Sequence, residues 1–311
     1  MSPILHTAPE VGEAVGAGRP VVALETTLVT HGFPRAQGLE LARALEGEVR
    51  GQGAVPATIG VLEGALRVGL SRAELERLAA EDVAKLGPAN LGARIASGRP
   101  GSTTVGATLI AAAGAQIRVF ATGGIGGVHR GDAFDVSADL LALARHPVAV
   151  VCSGAKAVLH LPRTREALET LGVPVLGFGT DELPAFYRRS SGLPVDARFD
   201  SVGALAAAVA SHFALETSTG VLIGNPIPTA DELDTAAYES ALSEALAQAE
   251  VTGVVGRDVT PFLLEELRRR TGGRSLESNR ALLLSNARLA GQLAVELAST
   301  VLRITQPARN P

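Results

Sequence analysis

Short runs rich in Val and Ile alternate along this chain with longer Ala- and Leu-rich segments of helical period, and no other feature constrains the fold as much. Runs without polar alternation suit strands covered on both faces, which arise where helices connect parallel strands and pack above and below the sheet. The expected strands cover 21–29, 58–62, 119–122, 148–152, 173–178 and 221–223. The expected helices cover 36–50, 72–80, 105–113, 138–145, 163–171, 201–215, 231–250 and 276–302. Ser71 and Glu74 have the spacing of a reciprocal N-terminal cap, which fixes one helix start. The last helix is apolar nearly all round, so it belongs inside the domain or at a subunit contact. Aromatic residues make up 3% of the chain and Trp is absent, so the core must be built of small aliphatic side chains suited to layered packing. The expected class is α/β, a single large domain over 1–311 with a mainly parallel central sheet flanked by helices. No repeat, low-complexity linker or charge block marks a boundary, and the ends, 1–10 and 306–311, are expected to be loosely held.

Charge removes several function classes. The formal net charge is −4 and no Lys/Arg run or basic–aromatic patch occurs, so the footprint of a nucleic-acid binder is missing. A single cysteine, Cys152, excludes an intrachain disulfide and a cysteine metal cluster. The amino-terminal residues lack the pattern of a secretory leader, and the apolar stretches are too short or interrupted to span a bilayer, so the expected location is the cytoplasm and no membrane partner is expected.

Of 28 basic residues, two are lysines, Lys85 and Lys156, and the others are arginines. Surface ion pairing tolerates either type, but an amine that must lose its proton and attack carbon cannot be an arginine. Coding bias would also strip lysines and leave two at random, so their settings decide. Lys156 follows the apolar strand around Val150 and stands close to Ser153 and Gly154, where desolvation favours the neutral, nucleophilic amine. Lys85 precedes Gly87-Pro88-Ala-Asn90, which brings its amine toward an anion.

Glu25 sits inside a strand that otherwise reads as buried. A carboxyl in such surroundings either pairs with a cation or keeps its proton, which suits a general acid, and the sequence alone leaves both open. The segment 101–108 packs glycines, hydroxyls and Thr104 just before a helix at Val105, an arrangement suited to a phosphate but also to an ordinary capped helix start. At 122–130 a strand opens at Thr122 into a glycine-rich turn ending in His129. The dinucleotide fingerprint fails there, because His129 stands where the third glycine belongs. Asp135, Ser137, Ala138 and Asp139 begin a helix. The two acids either complement its dipole or divide between a hard divalent cation and sugar hydroxyls, and spacing does not decide which does which. Asn279 and Asn286 share a helical face and either reach a ligand edge or cap backbone groups in the core.

Taken together, the stretches ALETTLVTHGFP, the Lys85 region, GSTTVGAT, FATGGIGGVHRG, FDVSADL, VCSGAK and SNRALLLSNARLAGQLA resemble the pseudouridine-5′-phosphate glycosidase family, also met as indigoidine synthase A-like proteins. They occur in family order over nearly the whole chain. The resemblance implies a homotrimer, one divalent metal per subunit, usually Mn²⁺, and reversible cleavage of the carbon–carbon bond of pseudouridine 5′-phosphate to uracil and ribose 5-phosphate. It implies Glu25 as proton donor and Lys156 as nucleophile. It places Lys85, Val105, Ser137, Ala138 and Asp139 at the substrate and Asp135 at the metal. The connection from His129 to Asp135 is about two residues shorter than the usual family loop, which puts the metal geometry in question more than the lysine. No fused sugar-kinase domain of the kind some relatives carry is expected, and phosphorylation of pseudouridine would then need a separate protein.

A carbon–carbon glycosidic bond lacks the leaving oxygen that paired carboxylates protonate, so covalent catalysis is expected. Glu25 would protonate the ring oxygen as the ribose opens, Lys156 would capture C1′, and an iminium on the lysine would release ribose 5-phosphate to water once uracil has left. Lys85, the 101–104 loop and His129 would hold the phosphate. Two other readings share the same residues: a Schiff-base aldolase acting on a sugar phosphate, and a ligand-binding protein without turnover.

Overall fold

The computed structural model describes residues 4–131, 135–215, 219–254 and 259–305. Among these, eleven strands form one sheet. Its centre runs β3 (Val55–Leu62), β2 (Val21–Glu25), β7 (Val119–Ala121), β8 (Ala149–Cys152), β11 (Val221–Gly224), β9 (Val175–Phe178) and β10 (Ala197–Phe199), each pair parallel. The expected parallel sheet is therefore present. Beyond β3 it turns mixed: β4 (Ala65–Val68) and β6 (Gly101–Thr103) pair antiparallel to β3, while β1 (Leu5–Thr7) and β5 (Ala84–Leu86) add parallel edges.

Strands β2, β3, β7, β8 and β11 are buried along their whole length, which is why they read as apolar runs. Helices α1 (Pro9–Gly16), α2 (Arg35–Gly51), α3 (Arg72–Ala80), α4 (Pro88–Ala96), α5 (Val105–Gly114), α6 (Ala138–Arg145), α7 (Leu161–Thr170) and α8 (Val202–Ala214) cover the faces between strands. Three more follow, α9 (Thr235–Thr252), α10 (Val259–Arg270) and α11 (Arg274–Thr305). The last packs on α2, α8 and β2, β7 and β8, so one face is buried inside this chain; it is not apolar all round, since Arg280 and Arg288 stand exposed on the other and pair with Glu40 and Glu48.

Four expectations change. The strand expected over 21–29 stops at Glu25, because the Thr26 and Thr27 hydroxyls donate to the carbonyls of Ile59 (2.8 Å) and Thr103 (2.7 Å) and turn the chain into a wide helical turn at Leu28–Gly32. The amino-terminal end is not loose where it is described: Leu5–Thr7 joins the sheet beside β4, and α1 begins at Pro9. A helix not among those expected, α4, starts at Gly87-Pro88-Ala-Asn90, with Pro88 in its first turn and the Asn90 side chain accepting the Gly87 N–H at 2.9 Å. Strands β1, β4, β5, β6 and β10 escaped notice because none is an apolar run: they read LHT, ALRV, AKL, GST and ARF. The other end, 306–311, lies outside the described residues.

Candidate active site

The carboxyl ends of β2, β7 and β8 lie side by side, and the residues that leave them meet in one cavity. Glu25 is the last residue of β2, Thr122 follows β7, and Lys156 lies four residues past β8. With Lys85 from β5 and Asn279 from α11 they line a cavity of about 70 Å³, closed on its apolar side by Leu28, Phe33, Phe186, Leu264 and Leu283. His31, Gly32, Phe33, Leu264 and Asn279 are shared walls with an adjoining cavity of about 330 Å³. A larger cavity, about 430 Å³, lies among Arg19, Val21, Arg118, Val119, Phe213 and Leu297 at the amino ends of β2 and β7. It holds none of the expected site residues, so size does not identify the site here.

Glu25 is 5% exposed and accepts a hydrogen bond from the Thr122 hydroxyl at 2.5 Å. Burial pushes its carboxyl above the usual range, and Asp139 adds to that. Lys156, the Thr122 hydroxyl and Lys85 pull the other way. The acid and the two lysines therefore share one electrostatic field, which the sequence suggested only through rarity and burial. Partial burial and the Lys85 charge hold His31 below the ordinary imidazole range, and its Nδ1 lies 2.6 Å from the Thr30 hydroxyl.

The turn carrying Lys156 depends on one glycine. Gly154 has φ +84°, and a Cβ there would stand 1.9 Å from the Pro184 carbonyl oxygen. Beneath the turn, the fully buried Asn286 donates to the Thr122 carbonyl (2.8 Å) and the Ser153 hydroxyl oxygen (3.2 Å) and accepts from the Asn225 amide (2.9 Å). Of the two readings of Asn286 the structural one fits: its amide ties together the exits of β7, β8 and β11. Asn279 lies in the cavity wall instead.

The remaining expected residues form a second group that does not line the cavity. Asp139 is buried, and its two oxygens accept the Gly106 N–H (2.8 Å) and the Gly126 N–H (2.9 Å), so it latches the start of α5 to the glycine turn. Val105 is buried as the first residue of α5, Ser137 caps α6 through the Asp139 N–H at 3.2 Å, and Ala138 opens that helix at the surface. The hydroxyls of 102–104 are bonded within the fold. Ser102 accepts from Thr30 (2.9 Å), Thr103 donates to Ile59 (2.7 Å), and Thr104 caps α5 at Ala107 N–H. What that segment leaves for an anion is the amino end of α5. His129 Nδ1 lies 3.6 Å from Asp135 Oδ2, with its N–H bonded to the Asp135 carbonyl at 2.9 Å. The shortened connection between them includes 132–134, which lie outside the described residues.

Among the described residues no group of three or more His, Cys, Asp or Glu converges on one point. Asp135, with a side chain 38% exposed beside His129, is a set that suits a hard divalent cation holding several waters. Phe186 was missed. The sole hint was an aromatic pair, Phe186-Tyr187, in a chain with few aromatics; its φ of 62° in a bulky residue cannot be read from sequence.

The family described as "Indigoidine synthase A like protein" matches residues 10–296. The chain is 54% identical over 298 residues to a pseudouridine-5′-phosphate glycosidase of Methylobacterium nodulans, covering 95% of this chain and 88% of that one. It is 51% identical over 304 residues to the Paracoccus denitrificans protein of the same name, covering 96% and 100%. Among solved structures it is similar to the prealnumycin C-glycosynthase AlnA in complex with ribulose 5-phosphate, at 41% identity and a TM-score of 0.91 over 97% of this chain and 100% of that one. An indigoidine synthase A-like protein from Thermotoga maritima matches at 37% identity and a TM-score of 0.87, covering 95% and 97%.

Proposed function

The chain belongs to the indigoidine synthase A-like family, and on that premise we propose that it cleaves pseudouridine 5′-phosphate reversibly to uracil and ribose 5-phosphate. One observation carries the reading: a buried carboxyl, Glu25, and the amine of Lys156 line the same cavity beside a second cation, Lys85. Relatives that match along most of their length are named pseudouridine-5′-phosphate glycosidases, and a solved relative is described with ribulose 5-phosphate bound.

Glu25 donates a proton to the ribose ring oxygen as the C1′–O4′ bond breaks, and the neutral Lys156 amine bonds to C1′. Ionised Glu25 takes a proton from the C1′-bound nitrogen, whose lone pair then forms a C=N bond as the C1′–C5 bond breaks, and Glu25 returns that proton to uracil C5. Water adds to the iminium and restores the lysine, releasing ribose 5-phosphate. Thr122 holds Glu25 in place, and the Phe186 and Leu264 side limits water around the iminium. Lys85 attracts the phosphate, and the amino end of α5 lies close by across the Asp139 latch. Asn279 reaches the uracil edge from the opposite wall. Asp135, with His129 alongside, would hold a divalent cation, which supplies charge neutralisation at the phosphate when bound. The homotrimer is taken from the family resemblance. The buried free thiol of Cys152 suits the reducing cytoplasm, and among the described residues no helix is long and apolar enough to cross a membrane.

Uracil release from pseudouridine 5′-phosphate with Mn²⁺ tests the reading. Wild-type turnover should vanish in Lys156→Ala, and borohydride with ribose 5-phosphate should reduce an adduct onto Lys156. No release by the wild type would leave a Schiff-base aldolase as the use of the same cavity, and an active Lys156→Ala would move the nucleophile elsewhere.

A further inference from the structure

The turn that carries Lys156 is tied down through its carbonyls on both sides of the lysine. The Cys152 carbonyl accepts the Asn225 N–H at 2.8 Å, Ser153 that of Phe186 at 2.9 Å, Gly154 that of Ile125 at 3.1 Å, and Lys156 that of Leu159 at 3.0 Å. Every one of these donors is main chain. The next carbonyl, Ala157, accepts instead from a side chain: the Tyr238 hydroxyl of α9 donates to it at 2.8 Å. Tyr238 is 7% exposed, and its ring meets Tyr187 edge-on at 6.1 Å. Tyr187 in turn meets Phe186 at 4.7 Å, and Phe186 both walls the cavity and grips the Ser153 end of the turn. The aromatic row therefore braces the turn at its start through Phe186 and at its end through Tyr238. Phe186 holds a left-handed φ of 62°, a conformation that a bulky residue keeps where its surroundings over-determine it.

We propose that Tyr238 is a positioning residue for the reaction: its hydroxyl fixes the Ala157 carbonyl, and through the Lys156–Ala157 peptide the direction in which the Lys156 amine enters the cavity. The inference rests on the reading of Lys156 as nucleophile. The amine must meet C1′ along a narrow approach, and misplacement by about 1 Å can cost about a hundredfold in rate, so one hydrogen bond to the residue that follows the lysine has leverage. Burial pushes the Tyr238 phenol up to about 12, so the hydroxyl keeps its proton and donates across the working pH range.

Tyr238→Phe removes the hydroxyl and keeps the ring. The expected result is a fall of about tenfold in kcat with KM nearly unchanged, and an equal fall in the single-turnover rate at which borohydride traps the lysine adduct. Thr58→Val, which removes a buried hydroxyl bonded to Glu46 away from the cavity, should leave both rates alone. Wild-type rates in Tyr238→Phe overturn the proposal, and so does an equal loss in both variants, which would report general loosening. A wild type that traps no adduct overturns the reading of Lys156 instead. If Tyr238→Phe does not fold, the wild type answers: Tyr187 and Tyr238 are its two tyrosines, so 3-fluorotyrosine gives two resonances, assigned with Tyr187→Phe. Reductive trapping on Lys156 should move the Tyr238 resonance, and a resonance that stays put overturns the proposal.

Discussion

Glu25 ends a strand of apolar side chains, and desolvation governs its chemistry. Its folded-state proton affinity is raised, so the stabilisation that comes with the protonated form is present at low pH and is lost as pH rises through the raised value. Lys156, Thr122 and Lys85 limit the rise, which keeps the group able to give its proton and take one back. Loss of a general acid costs about 10² to 10⁴ in rate. Glu25→Gln should therefore lower kcat by about that factor, abolish the basic limb of the pH–rate profile and flatten the decline in stability over the same window. A basic limb that survives in Glu25→Gln would assign the proton to another group. This residue was legible because a carboxyl inside an apolar strand breaks the pattern around it, and Lys156 because lysine is rare in this chain. Phe186 and Tyr238 left no such mark: they act from segments far along the chain, through a backbone angle and one hydroxyl.

Helix α11 shows what an element does that no single residue in it reveals. Its stripe carries Asn279 into the cavity wall and, two turns on, Asn286 into the core beneath it. The sequence placed both on one face and left their roles open, since similar faces of a long buried helix can meet either a ligand or the sheet. Asn286 meets the exits of three strands at once, so its amide sets the spacing between Thr122 and Ser153, hence between the acid's partner and the lysine turn. Asn286→Ala strands several buried polar groups, each costing about 1 to 3 kcal/mol. It should lower the unfolding free energy by about 3 kcal/mol with an unchanged denaturant slope, read by urea melts. A loss below about 0.5 kcal/mol would mean that water replaces the amide. The buried strands were legible as apolar runs and most helices through their period, whereas β1, β4, β5, β6 and β10, each interrupted by polar or small residues, were not. Strands this short are made by neighbours, and the Thr26 and Thr27 bonds that end β2 reach partners 33 and 76 residues away.

At the scale of the whole molecule, the parallel centre of the sheet decides where chemistry gathers: chain segments leave β2, β7 and β8 at a common edge, which is where ligands sit in sheets of this class. The larger apolar cavity at the opposite edge has no comparable acid and amine pair. The net charge of −4 gives no overall attraction for an anionic substrate, so the pull must come from Lys85 at short range, with charges beyond about 8 Å screened at physiological salt. Binding that is local in this way should still be felt by the fold as a whole. Ribose 5-phosphate at about 100 times its Kd should add about 2.7 kcal/mol to the folded state, seen as a rise of several degrees in the thermal midpoint. Lys85→Gln should lose most of that rise. If Asp135 holds the cation, Mn²⁺ should add a further rise in the wild type that Asp135→Asn lacks, while its metal-free response to ribose 5-phosphate stays. Equal Mn²⁺-dependent shifts in the wild type and Asp135→Asn would move the cation away from Asp135, and a full response in Lys85→Gln would hand the phosphate to the amino end of α5.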